Sequence, residues 1–201
     1  MPRPPSYDRE IALDRAVSLF WHKGYHGSSM KQIEQALDMR PGSIYATFNS
    51  KDELFSEALA RYARQMSEQL GTHMAGQNNI VEGLQAYLEN IAKQCSSPEC
   101  APARACLIVK TLLEASGANP ELYVQAQQVL AEIEQGLADL LESARKQGEL
   151  AAGTDCRRLA RLIQGQIMGL RSMAERDLTT RELAQLGQDM ASILDAYRAT
   201  N

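Results

Sequence analysis

The stretch GSSMKQIEQALDMRPGSIYATFNSKDELF, residues 27–55, sets two short helical patterns on either side of a break at Asp38–Gly42, and few folds accommodate so abrupt a corner. Ser28 or Ser29 can cap the first pattern, whose apolar positions are Met30, Ile33, Ala36 and Leu37, and Gln32 is placed to complete a capping box with Ser29. Asp38 tolerates the left-handed backbone of a tight turn. Pro41 suits a first helical turn, where its missing N–H would have no partner. The second pattern then carries Ile44, Tyr45 and Phe48, and Asn49 or Ser50 can cap a longer helix along Leu54, Phe55, Ala58, Leu59 and Tyr62. Upstream, Ile11, Ala12, Ala16, Leu19 and Phe20 recur at three- and four-residue steps from Asp8 to a stop at Gly24. A longer helix bracing two short ones across a tight turn spells a helix-turn-helix, whose second short helix can enter a DNA major groove.

The remainder also reads as helix. Approximate spans are 57–70 as a continuation, 80–94, 103–116, 120–147, 155–175 and 179–198, separated by GQNN, SSPECAP, SGANP, QGELAAGTD and RDLTT. The expected fold is all-α with about nine helices: a head over 1–55 and a larger helical body over 56–201. With 44% hydrophobic and 23% charged residues the composition is that of a globular protein. No apolar run approaches the roughly 18 residues of a membrane span, and the first ten residues have no secretory h-region, so a cytoplasmic location and no membrane partner are expected. Charge is uneven: residues 1–51 carry seven Lys/Arg against five Asp/Glu, while the rest carries a balance of −6. A mildly basic head on an acidic body suits one face turned to phosphate.

The head resembles the TetR family of one-component bacterial transcription regulators. The resemblance rests on Gly24, Ser28, Ser29, Ile33 and Ala36, then Gly42, Ser43, Ile44, Tyr45, Phe48, Ser50, Lys51, Leu54 and Phe55 at fixed offsets across the break. It covers residues 8–60, and departs from the family where Asp38 stands at a turn position often held by Gly, and where Ala46 and Thr47 replace an aromatic or His pair. The resemblance implies a homodimer on a palindromic double-stranded operator, acting as a repressor. With geometry, it places Ser28 or Ser29, Tyr45 and Lys51 on phosphates, Gly42 where backbone approaches a phosphate, and Arg40, Ser43 and Thr47 on the exposed side that meets base edges. Arg3, in the MPRPP tail, could extend into the adjacent minor groove, though the tail reads more readily as a disordered segment.

The family's last two helices form its dimer interface, which here would use Leu159, Ile163, Ile167 and Leu170 on one stripe and Leu186, Met190 and Ile193 on another, with Gly165 and Gly169 permitting close approach. Such stripes also suit burial in the chain's own core. Cys95, Cys100 and Cys106 cluster at spacings that match no zinc pair, and His22 and His26 straddle the Gly24 stop, so neither metal nor cofactor is expected. Arg104 and Lys110 flank Cys106 and could favour its thiolate. CLIVK resembles a TetR subgroup that senses electrophiles and oxidants through a cysteine at that helix start. The rival account is a small apolar effector held by Leu84, Leu88, Leu107, Leu112, Leu113, Tyr123 and Met168. Cys156 reads as incidental. No phosphate loop, nucleophile elbow or metal-ligand cluster supports an enzyme, and an α-helical adaptor without DNA binding would require the head motif to be coincidence.

Overall fold

The computed structural model describes residues 8–97 and 105–199. Among them are nine α-helices: α1 (Arg9–Lys23), α2 (Met30–Leu37), α3 (Pro41–Phe48), α4 (Lys51–Ala75), α5 (Ile80–Ser96), α6 (Leu107–Ala115), α7 (Pro120–Lys146), α8 (Cys156–Met173) and α9 (Thr180–Ser192), followed by a 3₁₀ turn at Ile193–Tyr197. The all-α expectation holds, and no helix among the described residues is long and apolar enough to cross a membrane. The chain forms two compact units that are discontinuous in sequence, residues 1–65 with 107–129, and 66–106 with 130–201. A division at 55/56 therefore falls inside α4, and α4 and α7 each contribute residues to both units.

The first unit is built from local signals that agree with one another. Asp8 caps α1 by accepting from the N–H groups of Glu10 and Ile11, and Gly24, at φ 71°, stops it. Ser29 and Gln32 form the capping box on α2, and Asp38 ends that helix in the left-handed conformation at φ 54°, ψ 45°. Pro41 opens α3 from Arg40. Ser50, not Asn49, caps α4 by accepting from Glu53 N–H at 3.0 Å. Phe20, Ile33, Leu37, Ile44, Phe48, Leu54 and Phe55 are all but fully buried. Phe20 meets Phe55 edge-on at 4.8 Å between ring centres. Ala36 is only half-buried, and Met39 just past the turn is buried.

The second unit has its own core, in which α5 packs most extensively on α9 and also on α8. A side chain at Gly187 would meet the Ala92 methyl at 2.7 Å, so glycine there sets how closely α9 approaches α5. The carboxylate of Glu149 accepts from Ile80 and Val81 N–H at 3.1 and 2.9 Å, satisfying donors at the start of α5. A single antiparallel bridge between Leu150 and Arg198 ties down the end of the described chain.

Candidate nucleic-acid interface and cavity

The turn between α2 and α3 exposes the outer side of α3. Ile44 and Phe48 point into the core, while Tyr45, 48% exposed, and Ala46 look outward. Arg40 and Gly42 are exposed, and a Cβ added at Gly42 would meet nothing within 4 Å, so this corner is open. Ser43 and Thr47 are half-buried, and the Thr47 hydroxyl donates to the Ser43 carbonyl at 2.7 Å. At the start of α3 Pro41 has no N–H, and the Ser43 and Ile44 N–H groups donate to the Arg40 carbonyl at 2.9 and 3.1 Å.

Two residues expected on phosphate are positioned otherwise. Ser28 is 1% exposed and its hydroxyl donates to the Gly24 carbonyl at 2.7 Å; Ser29 is the exposed member of the pair. Lys51 donates to the carbonyls of Tyr25 at 2.7 Å and Ser28 at 2.6 Å and sits 4.3 Å above the Tyr25 ring. Partial burial pulls its ammonium below the usual lysine range, opposed by the carboxylates of Asp52 and Glu114. Lys51 thus belongs to the frame that shapes the α1–α2 loop. Tyr25 completes that frame: its hydroxyl donates to Asp52, and its N–H donates to Glu114 at 3.1 Å. No sequence pattern marks Glu114, which lies 89 positions away. Further ties hold the helices together: Arg15 to the Leu37 carbonyl at 3.2 Å, Arg9 to Glu57, and Arg61 to Glu10 and Asp14.

The second unit encloses a cavity of about 240 Å³. Its wall combines Met66, Leu70 and Met74 of α4, Tyr87 of α5, Cys106, Ile133, Leu137 and Leu140 of α7, and Ile167 and Met168 of α8. Of the predicted lining only Met168 is there. Leu84 and Leu88 are in the helix core, Leu107 is buried, and Leu113 is 72% exposed. Leu112 and Tyr123 are half-buried elsewhere. Cys106, 6% exposed, is in the wall, whereas Cys95 is in the core and Cys100 and Arg104 lie outside the described residues, as does Arg3. The Lys110 ammonium is directed to the Trp21 carbonyl at 3.2 Å. Burial pushes the Tyr87 phenol up, keeping it neutral, against a lowering by Arg171. Cys156 is buried, its thiol against the Thr154 carbonyl at 3.7 Å.

Most of the residues expected at the interface pack within the second unit. Leu159, Ile163, Ile167 and Leu170 are buried in the unit's own core, with Leu186 and Met190 packed against it. Leu162 on α8 and Ile193 at the start of the 3₁₀ turn are each 39% exposed, and Gly165, three residues after Leu162, is exposed as well.

Residues 12–58 match the family described as bacterial regulatory proteins, tetR family, and residues 81–188 match a tetracyclin repressor-like C-terminal domain. The HTH-type transcriptional repressor ComR of Escherichia coli K12 is 26% identical over 185 residues, 92% of this chain and 87% of ComR. A cysteine-substituted CifR, a TetR family transcriptional regulator solved with 26-base-pair double-strand operator DNA, is 30% identical, with a TM-score of 0.80 over 94% of this chain and 98% of CifR. A TetR family regulator from Cytophaga hutchinsonii, 16% identical, shares the fold at a TM-score of 0.85 over 96% of each chain.

Proposed function

This chain belongs to the TetR family of bacterial regulatory proteins, and from that premise we propose that it is a transcriptional repressor which grips a palindromic operator as a homodimer and lets go when a small molecule enters the cavity of the second unit. The observation that carries the DNA-binding half is the outer side of α3, where Tyr45, Arg40 and the open backbone at Gly42 stand on a fully buried Ile44 and Phe48. Tyr45, Ser29 and the backbone at Gly42 hold phosphates. Arg40 reaches a base edge, and the Thr47 methyl meets an apolar group such as that of thymine, with Ser43 beside them. Lys51 and Ser28 contribute by fixing the loop that presents Ser29. An ammonium held by two carbonyls is a positioning group, so its loss would act through order as well as charge.

Dimerisation is assigned to the outward sides of α8 and of α9 with the 3₁₀ turn that follows it, with Leu162, Gly165 and Ile193 at its centre, because a single helix-turn-helix reads only one half-site. For the response, the cavity and Cys106 are one site, so an apolar effector and an electrophile that modifies the thiol would act at the same place. Either would bear on Met66, Leu70 and Met74, which belong to the helix whose first turns complete the head. A preference of about 1–3 kcal/mol for the non-binding state is enough to change occupancy.

The test is binding of the purified protein to its own upstream DNA across a salt series. Phosphate contacts give a linear fall of log affinity with log salt. Tyr45→Ala should weaken binding on all sequences, and Arg40→Ala should flatten the preference for operator over scrambled DNA. If wild type shows no preference at any salt, or neither variant changes binding, the docking scheme is wrong.

A further inference from the structure

We infer that the cavity is shaped for an uncharged aromatic molecule of one or two rings, admitted where Gly71 and Gly136 leave its wall open; the inference rests on the effector reading above and specifies its ligand. The glycines carry the argument. Gly71 lies within α4 and Gly136 at the middle of α7, both line the cavity and both are exposed. Glycine inside a helix costs about 1 kcal/mol relative to alanine and is usually tolerated because a neighbour needs the space. Here a Cβ at either position would meet nothing within 4 Å. Packing does not require glycine at these two positions, in contrast to Gly187, whose added Cβ would strike Ala92. What the missing side chains do is leave the cavity open at its edge.

The wall then selects the ligand. Three thioethers, Met66, Met74 and Met168, the Cys106 thiol and the Tyr87 ring contribute to it together with branched aliphatics. Thioethers are polarisable and make favourable contacts with aromatic ring edges, and Tyr87 adds an aromatic partner. His73, whose ring centre lies 5.5 Å from that of Tyr87 and whose Nε2 lies 3.0 Å from the Gly83 carbonyl, braces the tyrosine from behind. Charge is disfavoured. Among the described residues of the lining there is no cation, the carboxylate Glu132 is exposed, and Gln164 is already donating to the Leu130 carbonyl at 2.7 Å. An ion in such a wall would lose its hydration with no opposite charge among the described lining residues to replace it, apart from Glu132 at the exposed edge for a cation. The volume of about 240 Å³ fixes the size. It exceeds the roughly 150 Å³ apolar cavity that holds benzene and falls below the roughly 300–1,000 Å³ of sites for drug-sized molecules.

The experiment is direct titration of the full chain, without DNA, using 2-naphthol as the probe, with 2-naphthoate and the saturated alcohol 2-decalol beside it. Saturable binding of one 2-naphthol per chain is expected, with roughly tenfold or weaker binding of naphthoate and about threefold or weaker binding of decalol. Gly136→Leu and Gly71→Leu place a side chain into the open edge. Each should reduce 2-naphthol binding at least about tenfold while leaving the melting temperature unchanged or higher, because leucine is the better helix former. Naphthoate binding as tightly as naphthol, decalol matching it, no saturable naphthol binding, or leucine variants that bind like wild type would each overturn the inference. Because DNA is absent from these titrations, a protein that binds naphthol but no operator would sink the regulator reading and leave the cavity assignment standing.

Discussion

The two units use cations in opposite ways. In the first, Lys51 is bonded to two backbone carbonyls and Arg15 to a third, so positive charge rigidifies the platform while Arg40 remains exposed. In the second, Arg171 is 6% exposed and its charge bears on the Tyr87 phenol, while no Lys or Arg is among the described residues that line the cavity. The contrast matches the partners proposed for each: a polyanion is bound by charge held at fixed geometry, whereas a small neutral molecule is bound by polarisable apolar surface. It also separates residues that touch a partner from residues that keep the touching ones in place.

The largest expected effect tests the boundary between core and surface in the second unit. Leu170 is fully buried and Leu162 is 39% exposed on the same helix. Leu170→Asp should destabilise by about 4 kcal/mol or more, because a carboxylate would be buried among aliphatics. Leu162→Asp should leave the intrinsic stability of the chain within about 0.5 kcal/mol yet lower the molar mass seen by light scattering from dimer to monomer. Equal melting temperatures for the two variants would erase the distinction between core stripe and interface.

A smaller effect tests the first unit's frame. Lys51→Ala should destabilise by roughly 1–3 kcal/mol in urea titration, since it leaves the Tyr25 and Ser28 carbonyls without their charged donor. Lys31→Ala, on the exposed side of α2, should change stability by less than about 0.5 kcal/mol. Tyr45→Ala should do the converse of Lys51→Ala: about tenfold weaker operator binding, near 1.4 kcal/mol, with stability unchanged. A Lys51 variant that folds as stably as wild type but loses DNA would return Lys51 to the phosphate contacts.

How legible these roles were depends on the range of the interactions that set them. Caps and turns are decided within four residues, so Ser29 with Gln32, Asp38 at positive φ and Pro41 at the first turn of α3 could all be read from the chain. The side of a helix that is buried is decided by what packs on it from elsewhere. Periodicity found the stripe Leu159, Ile163, Ile167 and Leu170, but a core stripe and an interface stripe obey the same spacing, and only the α5 and α9 neighbours distinguish them. The cavity was invisible for a related reason. It is defined by absent atoms at Gly71 and Gly136, and glycine in a helical run reads as a mere weakness of the pattern. The carbonyl partners of Lys51 lie 23 and 26 positions back, beyond the reach of any local pattern.

The smallest effect concerns the hydrogen bond that completes the frame. The Tyr25 phenol is pushed up to about 12, first by partial burial and then by its bond to the negative Asp52. In the unfolded chain a tyrosine loses its proton near pH 10. Below that pH both states keep the proton, and the contribution of the neutral phenol to folding is fully present. Between about 10 and 12 the unfolded chain has released its proton while the folded head still holds it, so unfolding liberates a proton and stability falls as pH rises. Solvent reaches the side of this group, which keeps the effect modest. Tyr25→Phe cannot donate to Asp52, so its urea midpoint should lie below that of wild type at pH 8, and the gap between them should narrow as pH climbs from 10 towards 12. Other tyrosines and lysines titrate in both proteins and drop out of the difference. A gap that stays constant across that range would mean that the phenol proton takes no part in holding the α1–α2 loop, and that Lys51 and Glu114 hold it alone.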